Sequence, residues 1–183
     1  MIRGWGRRPI LLALLTGLAL AGGPARAGGP ERALAVKAAY LAKLAPFVEW
    51  PGVAFPSANS PLYVCVAGDD PFGPILDDAL QGQKLGDHPM AVRRVARIDR
   101  GETCQILYVA GSKAQAAPDA LRAVDGAPML TVTDKARGGG GVVQFVNLNG
   151  RIRFEIDLAA AARNGLAISS KLLGLALSVR PRE

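Results

Sequence analysis

The chain has 183 residues, half of them hydrophobic and a fifth charged, with a formal net charge of +7. That length suits one domain with a buried core, and the composition excludes long disorder. Four of the arginines fall within the first 27 residues, so the basic balance does not mark a nucleic-acid binder.

"MIRGWGRR" supplies Arg3, Arg7 and Arg8, and "PILLALLTGLALA" follows as an uncharged apolar run. Ala25-Arg26-Ala27 then places small residues at the two positions a signal peptidase reads. This order predicts a signal peptide over 1–27 and a mature domain over 28–183, exported to the periplasm. A membrane-spanning helix needs about 20 apolar residues, more than this run supplies. No cysteine follows the run to carry a lipoprotein anchor. Loss of Arg3, Arg7, Arg8 and Arg26 with the leader lowers the net charge from +7 to +3.

Along the mature chain, "GGPE" (28–31) reads as a short flexible start. "ERALAVKAAYLAKLAPFVEW" then places Leu34, Ala38, Leu41 and Ala45 on one helical face, and Pro46 ends the helix near Ala45. "PLYVCVAG" (61–68) is a short apolar strand stopped by glycine. In "DDPFGPILDDAL", Asp70 is a candidate N-cap and Pro71 suits a first helical turn. "MAVRRVARI" (90–98) reads as a more exposed strand and "CQILYVAG" (104–111) as a buried one. A helix over "SKAQAAPDALRAV" and a strand over "PMLTVTD" (128–134) follow. "GGGG" (138–141) reads as a break. Residues 142–157 read as a hairpin turning at Asn149-Gly150, two residues that tolerate positive φ. "AAAARNG" is a short helix, and a helix begun by "ISSKLLGLALSV" closes the chain. The alternation predicts a single α/β domain: a mainly parallel sheet, helices on both faces, and a late antiparallel hairpin.

The usual catalytic constellations are missing. His88 is the only histidine, set in a loop before Pro89, so a zinc site lacks ligands and a Ser-His-Asp triad lacks its elbow. Neither nucleotide-binding glycine fingerprint occurs. Asp69 and Asp70 follow a buried strand, where α/β proteins often bind ligands, but a helix cap accounts for them more simply. In "RIRFEID", Arg151, Arg153, Glu155 and Asp157 share one face, either solvated or a partner surface. Cys65 and Cys104 form an even pair, which in an exported chain suggests a disulfide worth roughly 4 kcal/mol.

Ser169-Ser170-Lys171 invites a serine-lysine hydrolase reading. The hydrolase signature is S-x-x-K, which puts both side chains on one helical face. Here Lys171 is two residues from Ser169 and one from Ser170, and neither spacing aligns them on a helix. A serine before "KLLGLAL" is instead a good N-cap. No catalytic residue, metal or cofactor is expected.

"KAAYLAKLAPFVEWP" (37–51), "VCVAGDDPFG" (64–73), "CQILYVAGS" (104–112), "GGGVVQFVNLNGRIRFEID" (139–157) and "GLAISSKLLGLA" (165–176) together resemble the YfiR-like family of exported bacterial proteins. The resemblance covers nearly the whole mature chain. It implies a non-enzymatic periplasmic α/β domain that binds the sensor portion of a membrane diguanylate cyclase of YfiN type. Such binding represses cyclic di-GMP signalling and biofilm formation. It also implies an outer-membrane lipoprotein that sequesters the repressor, a redox link, and homodimers. Cys65 and Cys104 match the family's disulfide positions. Phe145, Arg153, Glu155, Leu166, Ile168 and Lys171 lie in the C-terminal segments associated with partner binding. The chain departs from members with a second cysteine pair near the hairpin, so any redox response rests on one bond. A small-ligand-binding protein serving a transporter or sensor kinase is the alternative, with its crevice at the ends of the parallel strands.

Overall fold

The computed structural model describes Met1, residues 29–134 and residues 140–181. The signal-peptide reading of residues 1–27 lies outside the described residues except Met1, as do two residues of the glycine run. Helix α1 (Gly29–Leu44) opens the domain. Its start at Gly29 replaces the expected flexible "GGPE", because Pro30 suits a first helical turn and Glu31 favours the N-terminal end of the helix dipole. Pro46 ends α1 in a 3-10 turn, Ala45–Phe47, and β1 (Val48–Glu49) follows.

The main sheet is built from β2 (Leu62–Gly68), β3 (Lys84–Leu85), β4 (His88–Val95), β5 (Ile106–Gly111), β6 (Leu130–Asp134), β7 (Val143–Leu148), β8 (Arg151–Asp157) and β10 (Ser178–Arg180). Their spatial order is β10-β8-β7-β6-β5-β2-β4-β3. Strands β4, β2, β5, β6 and β7 run parallel, and β8 returns antiparallel from the Asn149-Gly150 turn. Both turn residues have positive φ, 50° and 77°, as a tight two-residue hairpin requires. A separate ribbon pairs β1 with β9 (Ala167–Ile168).

Alternation along the strands divides the core between two faces. Leu62, Val64 and Val66 of β2 join Ile106 and Tyr108 of β5 beneath α1, α2 (Pro74–Leu80) and α4 (Leu158–Arg163). Cys65, Ala67, Leu107 and Val109 face the other way, toward Ala120 of α3 (Ala117–Ala123). The expected single α/β domain with helices on both faces and a late hairpin is the observed architecture.

Several boundaries differ from expectation for physical reasons. Helix α2 starts at Pro74 rather than Pro71, because Asp70 accepts from Phe72 N at 2.7 Å and closes its own turn first. Helix α3 starts at Ala117, since the Ser112 hydroxyl accepts from the Ala114 and Gln115 amides and holds a loop there. His88 begins strand β4 instead of sitting in a loop; its ring stacks on Phe55 at 4.1 Å. Asp157 is buried rather than on a solvated face, and its carboxylate caps α4 through Ala160 N at 2.9 Å. The closing helix, α5 (Ser170–Leu173), is one turn long and gives way to β10.

Candidate functional site

The residues expected to meet a partner fall on three connected supports. On β8, Arg153 is exposed and Glu155 is half-buried. The parallel register sets Glu155 opposite Ser178 of β10, and Arg153 reaches Leu175 O at 3.5 Å. On the ribbon, Ile168 is half-buried opposite Val48, and Ser169 N donates to Phe47 O at 2.9 Å. On α5, Lys171 is exposed, and the Ser169 hydroxyl accepts from Leu172 N at 3.4 Å as the N-cap. Glu155 and Ile168 therefore belong to different sheets rather than to neighbouring strands.

Two of the expected residues lie beneath the surface. Phe145 is fully buried and Leu166 nearly so. The Phe145 ring lies 5.9 Å from that of Tyr40, which also meets the Phe154 ring at 5.5 Å. Phe145 and Leu166 can shape this surface from below but offer a partner no area.

Reading the C-terminal segment as one helix obscured an apolar strip. Leu175, Leu177 and Val179 are exposed on the β10 side of the sheet. Leu177 N donates to Phe154 O at 2.7 Å, which fixes the strand beside β8. Gly174, followed by the polar-apolar alternation of Ser178-Val179-Arg180, was the available signal.

The Cys65–Cys104 disulfide joins β2 to the residue leading into β5, with Cα atoms 5.9 Å apart. Both half-cystines are buried. Next to it, buried Gln105 bridges three segments. Its Oε1 accepts from Tyr63 N at 2.7 Å, its Nε2 donates to Ala54 O at 2.5 Å, and its carbonyl accepts from Trp50 Nε1 at 3.3 Å. The segment thus held follows directly on β1, the partner strand of Ile168. The disulfide and the ribbon are linked through a short hydrogen-bonded path.

Charge is concentrated elsewhere. Arg94 on β4 bonds Asp77 at 2.5 Å and Asp70 at 2.7 Å. The hydrogen bond from Arg94 holds the Asp77 carboxyl below its ordinary pKa, and Asp77 and Asp70 raise that of Arg94. This cluster ties α2 to β4, at the opposite end of the sheet from β8 and β10. Among the described residues, no three His, Cys, Asp or Glu side chains gather as a metal site. No described helix is long and apolar enough to cross a membrane.

A family model described as YfiR/HmsC-like matches residues 34–177. The match runs from within α1 to the turn that precedes β10 and includes both cysteines and every expected surface residue. No curated protein matches the chain.

Proposed function

We propose a regulatory function from one premise: the chain belongs to the YfiR/HmsC-like family. In this reading it is a periplasmic, non-catalytic protein that binds the sensor portion of a membrane diguanylate cyclase and holds that enzyme inactive. The family match over residues 34–177 carries the reading. The signal-peptide pattern of residues 1–27 supports export.

The mechanism is differential binding. A partner that engages only the inactive cyclase shifts its equilibrium by its difference in affinity for the two states. Arg153, Glu155, Ile168 and Lys171 are the residues proposed to touch the cyclase, with Phe145 and Leu166 supporting them from the core. Arginine beside an apolar rim suits a protein interface better than a small-molecule pocket. An outer-membrane lipoprotein competing for the same surface would release the enzyme. The exposed Leu175, Leu177 and Val179 favour a second copy of the chain as a further partner at the β10 edge.

The test is capture of membrane proteins on the immobilised oxidised protein. A diguanylate cyclase is expected with the parent chain, and at least tenfold less (roughly 1.4 kcal/mol) with Ile168→Asp or Lys171→Glu. Lys171 is exposed, so its variant separates binding from folding. Equal capture by both variants would remove this surface from the reading. Failure of the parent chain to capture any cyclase would remove the reading itself.

A second reading, a small-ligand-binding protein, is favoured by one feature. A cavity of about 500 Å³ lies at the ends of β2, β4 and β5, lined by Asp69, Ser112 and Lys113.

A further inference from the structure

A cavity of about 670 Å³ is lined by neither cysteine and by none of the residues proposed to touch the cyclase. It opens between the first turns of α1 and the tip of the β7–β8 hairpin. Gly29, Arg32, Ala33 and Val36 form one wall, and Asn147, Arg151 and Ile152 are on the other. Its size falls within the roughly 300–1,000 Å³ typical of small-molecule sites.

Two of its residues are unusual for this chain. Every other described arginine donates to a protein oxygen. Arg32 and Arg151 alone have no such acceptor among the described residues, and both line this one cavity. Among the described residues, the other guanidinium groups are bonded within the fold and these two line the same space. The positive end of the α1 dipole adds to them, since Gly29 begins that helix and lines the cavity. Lys37 of α1 pairs with Asp134 of β6, and Tyr40 packs on Phe145 and Phe154, so α1 is held across the sheet and the cavity is preformed. Ala33, Val36 and Ile152 supply an apolar side.

We propose that this cavity binds a small organic anion. Its carboxylate or phosphate is held by the Arg32 and Arg151 forks, and its apolar part rests on Ala33, Val36 and Ile152. Such a ligand ties α1 to the hairpin whose second strand carries Arg153 and Glu155. The site does not depend on the partner reading, and either can fail without the other.

Calorimetric titration of the oxidised protein tests it, with phenyl phosphate, benzoate, inorganic phosphate and benzyl alcohol as probes. Phenyl phosphate or benzoate is expected to bind, and the neutral alcohol is not. Binding of only one of the two organic anions identifies the headgroup. The Arg32→Gln/Arg151→Gln variant is expected to weaken binding by at least tenfold, about the contribution of one charged hydrogen bond. Its melting temperature without ligand should match that of the parent, because neither side chain has a protein acceptor to lose. Val36→Asp keeps both arginines and should also abolish anion binding, by like-charge repulsion. Three results would overturn the proposal: no binding by either organic anion, undiminished binding in both variants, or inorganic phosphate binding as tightly as phenyl phosphate.

Discussion

Ser169 receives the Leu172 amide on its hydroxyl and donates its own amide to Phe47 O. Both links are structural: one starts α5 and the other joins it to the ribbon. Ser169→Ala should therefore lower stability by about 1 kcal/mol in a denaturant titration, the usual loss for an N-cap. A serine-reactive probe should label parent and variant alike at background. The cap was legible because helical spacing separates Ser169 from Lys171. The surroundings of Asp70 were not, because a cap and a local Asx turn need the same residue type, and only Arg94, 24 residues away, decides between them. The Arg94 cluster also sets a pH dependence. The Asp77 pKa is lowered in the folded state, so its contribution is present above the unfolded carboxylate range and is lost as pH falls through the folded value. Half of the Asp77 side chain is exposed, which keeps that contribution under about 1 kcal/mol. Asp77→Asn should cost that much at pH 7 in urea denaturation, and the difference should close in strong acid.

Elements were legible wherever one period dominated. The alternating faces of β2 and β5, the Asn149-Gly150 hairpin and the proline that ends α1 all follow from local pattern. The β1–β9 ribbon was hidden because a two-residue strand has no period, and its pairing joins residues 120 apart, Val48 and Ile168. Strand β10 was hidden because "LLGLALSV" satisfies both a helix and a short strand, and only the free edge of β8 selects the strand. The same element scale explains how a disulfide remote from Ile168 could matter to it. Gln105, beside Cys104, holds Ala54 and Trp50, next to β1. Gln105→Leu keeps most of the volume but leaves Tyr63 N and Ala54 O without this partner. It should destabilise the fold by about 1–3 kcal/mol for each buried group left unpaired. If the path carries coupling, partner capture should weaken by more than the loss of folded protein explains. Capture that tracks the folded fraction alone would show that Gln105 serves stability only.

At the scale of the molecule, one covalent bond spans the core under α3. Cys65–Cys104 closes a separation of 39 residues, for which chain entropy predicts roughly 4 kcal/mol of stabilisation. Cys65→Ser should lose about that much and melt roughly 10 °C lower, as calorimetry would record. An unchanged melting temperature would mean that the apolar cluster around Leu107 and Met129 holds this face without the bond. The fold as a whole could be read from the order of its elements. The surface could not, because Phe145 and Leu166 share the chemistry of interface residues yet turn inward, while Leu175 and Leu177 turn outward. The central claim is repression of a membrane diguanylate cyclase, and the most direct measurement is cyclic di-GMP in cells with and without the chain. Loss of the chain should raise cyclic di-GMP, and parent chain supplied in trans should restore the low level while Ile168→Asp does not. An unchanged level on loss of the chain would contradict the account.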